Sequence, residues 1–251
     1  MSGKAFFIDT TRCTACRGCQ VACKQWNQLP ADDTRNWGSY QNPKDLSFQT
    51  YKLVRFQEHL GPDGKPVWYF FPDQCRHCVE PPCLEAAEDD TPEGIIVDSL
   101  TGAVLYTDKL KKADAADIRE ACPFDIPRVD ERTGYMAKCT MCVDRVHNGL
   151  MPACVKTCPS GAMNFGDRDE MIQMAKSRLD KVKAKFPKAV LTGLEDLRVF
   201  YLLADQPEKY HTYAKADPVP RGIGRKLALR KIGRRLGGLS PEWRFVSKLL
   251  G

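Results

Sequence analysis

The chain has 251 residues, room for one or two small domains, and 12 of them are Cys. At about 5% of the chain, Cys is well above ordinary usage yet below that of a disulfide mini-protein. Setting it aside drops the apolar fraction from 43% to about 38%, thin for a core of this size. The net charge of +6 is uneven: residues 216–251 hold nine basic and two acidic side chains, so +7, and the remaining 215 residues sum to −1. A body this close to neutral argues against nucleic-acid binding. No apolar run approaches the ~20 residues of a membrane span; Val199 to Ala204 is the longest. Met1 to Cys13 has no long apolar stretch, so no secretory signal is expected there.

In chain order, Ala5 to Asp9 reads as a short strand entering the first Cys loop. Ser47 to His59 and Val67 to Phe71 are strand-like, the latter ending at Pro72. Ile95 to Val97 and Ala103 to Thr107 predict a hairpin around Thr101-Gly102. Lys109 to Ala121 reads as a helix, Met163 to Phe165 as a closing strand, and Arg168 to Lys185 as a helix ended before Pro187. In the tail, Pro218 to Gly224 reads as a linker and Lys226 to Leu236 as a basic helix. Ser240-Pro241-Glu242 starts a last helix, with Ser as N-cap and Pro at N1.

The cysteines carry the chemistry. Cys13-x2-Cys16-x2-Cys19-x3-Cys23 is the run that binds iron–sulfur clusters: three close thiolates wrap one cube and the fourth reaches another. Cys139-x2-Cys142-x11-Cys154-x3-Cys158, followed by Pro159, is the same run with an insertion. Exchange of the fourth Cys predicts one 4Fe–4S cluster on Cys13, Cys16, Cys19 and Cys158, and a second on Cys139, Cys142, Cys154 and Cys23. Four cysteines remain. Cys75-x2-Cys78-x4-Cys83 lacks its fourth member, whose place is taken by Ala87. Cys122-Pro123 lacks its first three, which fall on Lys112, Ala115 and Ile118. The four missing ligands are those of one whole cluster, so a third cluster on Cys75, Cys78, Cys83 and Cys122 uses every Cys. Ordinary apolar packing is expected around Ala87, Ala115 and Ile118 instead.

Zinc explains Cys pairs but not crossed triples. Disulfides require an exported chain. A c-type haem needs His after Cys-x-x-Cys, and Arg17, Gln20, Val79 and Val143 follow here. His77 is expected to face solvent, Lys24 to be a surface lysine unless it sets a charge beside a cluster, and Trp26 and Trp37 to pack. No phosphate loop, Gly-rich nucleotide fingerprint or Ser/His/Asp set is present, so no site for substrate bond chemistry, and no catalytic residue, is expected.

Cys nested as 4 + 3 + 1 + 4 resembles the electron-transfer (beta) subunits of molybdenum or tungsten pterin oxidoreductases. Cys122-Pro-Phe-Asp-Ile-Pro-Arg128, Lys138-Cys-Thr-Met-Cys-Val-Asp-Arg-Val146 and Ala153-Cys-Val-Lys-Thr-Cys-Pro-Ser-Gly-Ala162 resemble the formate dehydrogenase branch. Ala5 to Cys13 and Phe71 to Cys78 are similar to the soluble periplasmic type of sulfate-reducing bacteria. The resemblance implies a relay of electrons between a catalytic alpha subunit, with Mo or W on a bis-pterin, and an external acceptor, a multihaem c-type cytochrome. It implies a periplasmic location, the chain being exported folded with its partner; the cytoplasm is the alternative. The rival reading within this class is the beta subunit of a nitrate, thiosulfate, polysulfide or sulfoxide reductase.

The fold expected is α+β: two ferredoxin-like domains, one inserted in the other, plus a C-terminal helical extension. The first takes residues 1–66 and 131–168 and two clusters, the inserted one 67–130 and one cluster. Residues 169–215 supply a helix and strand packed on the core, and 216–251 a basic tail. Docking along the catalytic subunit is the first reading of that tail; contact with an anionic membrane surface and a solvated extension are the others.

Overall fold

The computed structural model describes residues 3–215. The linker, basic helix and last helix expected in the tail lie outside the described residues. Among the described residues no helix is long and apolar enough to cross a membrane.

The chain begins with β1 (Lys4–Asp9) and α1 (Gly18–Trp26), followed by the hairpin β2 (Leu53–Leu60) and β3 (Pro66–Asp73). Next come α2 (Pro82–Glu88), the hairpin β4 (Ile95–Val97) and β5 (Val104–Tyr106), and α3 (Ala115–Ala121). β6 (Arg128–Val129) and β7 (Met136–Ala137) form a short ribbon before α4 (Val143–His147) and α5 (Ala153–Lys156). β8 (Met163–Asp167), α6 (Arg168–Lys183), β9 (Val190–Thr192) and β10 (Val199–Leu203) complete it.

One mixed sheet, in the order β8-β1-β10-β9, organises the rest. β1 runs antiparallel to β8 and parallel to β10. Both central strands are buried on two faces, which is why Phe6-Phe7-Ile8 and Val199 to Leu203 read as continuous apolar runs rather than alternations. Period two still sorts their side chains. Ala5, Phe7, Phe200 and Leu202 pack against Met171, Ala175 and Val182 of α6. Phe6, Ile8, Val199, Tyr201 and Leu203 face the layer containing Cys19, Cys154, Met141 and Met163. The sheet therefore backs the cysteines on one side and carries α6 on the other.

Two expected elements come out differently. The strand predicted from Ser47 starts at Leu53. The Asp32 carboxylate accepts hydrogen bonds from the Ser47 and Thr50 hydroxyls, and holds that stretch as a tight turn. The single helix predicted over Lys109 to Ala121 is a 3-10 turn (Asp108–Lys112) followed by α3. Asp114 breaks it, because its carboxylate caps the new helix by accepting from the N–H of Ala116 (2.9 Å) and Asp117 (3.2 Å).

At the positions lacking ligand cysteines, Ala87 and Ile118 are buried with Ile95, Val104, Leu110 and Met136, and Ala115 packs on them. This is hydrocarbon core, as the spacing predicts. Lys112 ends the 3-10 turn at the surface. Truncation here should behave as a core truncation: Ile118→Ala is expected to cost about 2–5 kcal/mol in denaturant unfolding of the anaerobically purified protein. An unmoved midpoint would contradict it.

Candidate metal centres

All twelve cysteines are free thiols. Three loops, Cys13 to Cys16, Cys75 to Cys78 and Cys139 to Cys142, share one device. The second residue after the first Cys takes a positive φ without being glycine: Ala15 (φ 54°), His77 (φ 45°) and Met141 (φ 61°). This left-handed step costs about 1 kcal/mol or more for a residue with a side chain. In return it aims the residue's N–H at sulfur. His77 N–H donates to Cys75 Sγ and Met141 N–H to Cys139 Sγ, each at 3.4 Å. A concave run of backbone N–H groups is a site for negative charge.

Two of the expected sets each line a cavity. Cys13, Cys16, Cys19 and Cys158 line one cavity of about 310 Å³ of atom-free space, closed by Val54, Pro72 and Met163. Cys75, Cys78, Cys83 and Cys122 line another of about 330 Å³, with Val104, Tyr106 and Lys138 on its wall. Cys23, on α1, is buried where the thiols acting on it are Cys139, Cys154 and Cys142. Helix α1 packs on α5, which carries Cys154, so Cys23 leaves its own loop's set and joins the distant one. Among the described residues no three His, Cys, Asp or Glu stand close enough to grip one ion; the thiols ring spaces instead.

Thiol chemistry fits a cationic group in those spaces. Burial pushes Cys13 and Cys83 up to about 11, and Cys122 and Cys139 up to about 12. Such thiols ionise only against a strong positive charge, as metal coordination provides. Cys158 is the exception. Burial raises it, but the N–H groups of Met163, Ala162 and Ser160 and the Ser160 hydroxyl outweigh that and lower it. The donor set of four soft thiolates with amide N–H groups on the sulfurs suits an iron–sulfur cluster.

A chain of buried charge locks the Cys75 loop. Asp73, fully buried, accepts from Arg55 Nε at 2.7 Å and Arg76 Nη1 at 2.9 Å. Arg76 lies 5.0–5.2 Å from the ring centres of Phe71, Phe124 and Tyr201. Arg55 reaches Asp45 (2.7 Å), which also holds Arg128 (2.8 Å) beyond Cys122. The Arg76 carbonyl accepts the N–H groups of both Arg198 and Val199, which fastens the loop to β10. Gly102 is needed beside it: its φ of +75° strains any residue with a side chain, and a Cβ there would run into the Arg198 guanidinium.

Residues outside the quartets part from expectation. His77 is fully buried, not solvent-facing: its Nδ1 accepts from the Val104 N–H at 3.0 Å, which ties the loop to β5. Burial, with Lys138 and Arg198 nearby, holds it well below its ordinary value. Lys24 clamps a loop, pairing with Asp32 (2.9 Å) and donating to the Pro30 and Gln49 carbonyls. Trp26 and Trp37 are about two-fifths exposed. Trp26 lies under Arg145 at 4.1 Å and donates to Asp144; Trp37 donates to the Gln41 carbonyl. Sequence reasoning missed Lys52 and Lys138, both buried beside thiols; for Lys52 the one signal was a lone lysine ahead of the apolar start of β2.

Comparison with known proteins agrees with this geometry. Residues 66–168 match the 4Fe-4S dicluster domain family. The beta subunit of formate dehydrogenase 2 (cytochrome c-553) of Nitratidesulfovibrio vulgaris is 55% identical over 214 residues, 84% of this chain and 98% of that one. The formate dehydrogenase beta subunit of Megalodesulfovibrio gigas is 54% identical, over 85% of this chain and 99% of that one. This chain belongs to the formate dehydrogenase iron–sulfur subunit family. The nitrate-inducible formate dehydrogenase iron–sulfur subunit of Escherichia coli is similar too, at 39% identity, with 85% of this chain aligned to 73% of it. The dicluster match begins at the first residue of β3 and ends as α6 begins, so it spans the Cys75 triple, Cys122 and the Cys139–Cys158 run but not the first four cysteines.

Asp73 yields a test of the buried charge chain. Burial works against its ionised form, but Arg76 and Arg55 hold its carboxyl below the usual range. Its stabilising effect is therefore complete above the unfolded value of ~3.9 and is lost as pH falls further, through its folded value. Asp73→Asn leaves two buried guanidinium groups short of their anion and should cost about 3–5 kcal/mol at neutral pH. Thermal unfolding of the two proteins at pH 7 checks this.

Proposed function

We propose that this chain is the electron-transfer subunit of a formate dehydrogenase, holding three 4Fe–4S clusters. These would sit on Cys13/Cys16/Cys19/Cys158, on Cys23/Cys139/Cys142/Cys154 and on Cys75/Cys78/Cys83/Cys122. The observation that carries the reading is that Cys158 lines one cavity with Cys13, Cys16 and Cys19, Cys122 lines another with Cys75, Cys78 and Cys83, and the thiols acting on Cys23 are Cys139, Cys154 and Cys142. The hydrocarbon core at Ala87, Ala115 and Ile118 supports three clusters rather than four.

When bound, such clusters take up and release single electrons. The chain's own residues do the rest. Left-handed Ala15, His77 and Met141 turn backbone N–H groups onto sulfur, which favours the more negative state. Buried walls such as Val54, Met141 and Phe124 exclude water and so sharpen every charge effect. The Asp73 network keeps the third loop from moving relative to β10, which holds distances along the relay constant. Residues 67–130 form, in this reading, an inserted ferredoxin-like lobe carrying one quartet on α2, α3 and their flanking loops, within a first domain of residues 1–66 and 131–168.

The partner is a catalytic alpha subunit with Mo or W on a bis-pterin, where formate gives CO2, one proton and two electrons. The relatives named as formate dehydrogenase subunits support this. The cytochrome c-553 in the name of the Nitratidesulfovibrio vulgaris relative supports a c-type cytochrome as acceptor and a periplasmic setting. The basic tail of residues 216–251, by its charge, is read as an arm along the partner.

Anaerobic iron and acid-labile sulfide analysis of the native complex should give about 12 Fe for this chain, after the partner's own iron is subtracted. About 16 would sink the three-cluster reading, and zinc in place of iron would end the redox reading. The exchange is tested separately. By electron paramagnetic resonance, Cys158→Ala should remove or convert the signal of the first quartet, Cys23→Ala that of the second and Cys122→Ala that of the third. Cys23→Ala should leave the first quartet's signal in place, although Cys13, Cys16 and Cys19 are its neighbours in sequence.

A further inference from the structure

Two lysines are buried beside the quartets. Lys52 is 2% exposed, and its ammonium donates to the side-chain oxygen of fully buried Gln74, the residue before Cys75. The two residues after Lys52 fix its position. Leu53 packs with Cys75, Cys78 and Cys139, and Val54 packs with Cys19 and Cys154. The Val54 N–H is held at 3.1 Å by the side chain of Gln20, next to Cys19. Lys52 is thus held beside the Cys75 loop, and the thiols that act on it belong to the first and second quartets: Cys19, Cys154 and Cys139.

Lys138 is 5% exposed, directly precedes Cys139 and lines the cavity of the third quartet. Its ammonium donates to the Val104 and Cys139 carbonyls and lies 4.6 Å from the Tyr106 ring centre. It stands between the second and third quartets. Neither lysine has a carboxylate partner among the described residues; their hydrogen bonds go to neutral oxygens. An ammonium is costly to bury without a counter-anion. The negative charge facing these two is sulfur's: Cys19, Cys154 and Cys139 act on Lys52, together with the Tyr201 hydroxyl, and Lys138 acts on Cys83 and Cys139. Of the guanidinium groups near these loops, Arg76 is already matched by Asp73, Arg145 donates to the Met151 carbonyl beside Trp26, and Arg17 donates to the Tyr40 carbonyl.

We propose that Lys52 and Lys138 are built-in counter-cations at the two junctions of the relay, each setting the potentials of the two clusters it separates. This rests on the cluster reading above. An electron arriving on either side of Lys52 adds one negative charge next to a fixed positive one in a medium of low dielectric. Reduction is thereby favoured without uptake of a proton. The second quartet, flanked by both lysines, feels both charges.

The test is a redox titration of the native two-subunit complex, followed by electron paramagnetic resonance. Signals are assigned through the Cys158→Ala, Cys23→Ala and Cys122→Ala variants. Lys52→Met should shift the first and second clusters to lower potential, and by more than the third. Lys138→Met should lower the second and third and spare the first. Lys52→Arg keeps the charge and should titrate like the parent. Should Lys52→Met fail to assemble, Gln74→Glu sets a carboxylate on the same ammonium, and must lower the first and second clusters. Unmoved potentials at a full complement of about 12 Fe overturn the role of the lysines and leave the cluster reading standing. A parent complex well short of that iron overturns both.

Discussion

Everything in this fold answers to one constraint: sulfur must be held as an anion in a place without water. A thiol pushed up to about 12 by burial stays protonated at neutral pH, and four thiolates together repel. Positive charge has to be brought to them from within the chain or from a bound group. The molecule brings it in graded form. Amide N–H groups supply partial charges at Cys75, Cys139 and Cys158. Two buried ammonium groups supply whole ones. The rest is left to iron. A chain whose apolar content is thin without its cysteines can then rely on ligation for part of its folding free energy.

The same constraint accounts for the parts that carry no sulfur. Strained left-handed residues persist only where their surroundings hold them. Here the surroundings are β5, which binds His77 Nδ1, and β10, which shares the Arg76 carbonyl. The Arg–Asp chain from Arg76 to Arg128 spans the stretch between the Cys75 loop and the segment after Cys122, so two distant pieces of sequence meet at one quartet in a fixed arrangement.

The two cysteine-lined cavities were legible in the sequence because thiol spacing is local: Cys13 to Cys19 and Cys75 to Cys83 each fit within ten residues. The missing quartet was legible for the same reason, as Ala87, Lys112, Ala115 and Ile118 stand at motif positions. Most strands were legible by their apolar runs. What escaped depends on who packs against whom. Lys52 and His77 look like surface residues until β2 and β5 are laid beside the thiols. Asp114 looks like part of a helix until its carboxylate is seen capping one. Val199 to Leu203 showed its hydrophobicity but not its place, parallel to β1 across nearly the whole length of the chain. The resemblance to formate dehydrogenase subunits came from particular Cys-bearing segments, and 55% identity across nearly the whole of a relative bears it out.

The central sheet has one more consequence. β1 and β10 are sealed on both faces, and their buried side chains divide into two separate clusters, one on the α6 face and one on the sulfur face. Bonds run around the edge: Arg178 reaches Asp9 at 2.7 Å, and Arg168 donates to the Leu194, Glu195 and Leu197 carbonyls. The sheet is thus a bulkhead. The outward face of α6 can drift in sequence or swap its surface charges with the whole sheet between it and the thiols; Arg168, which bonds the Leu197 carbonyl, is the position where that freedom ends. One face of the subunit is free to follow its partners, while the other keeps its wiring.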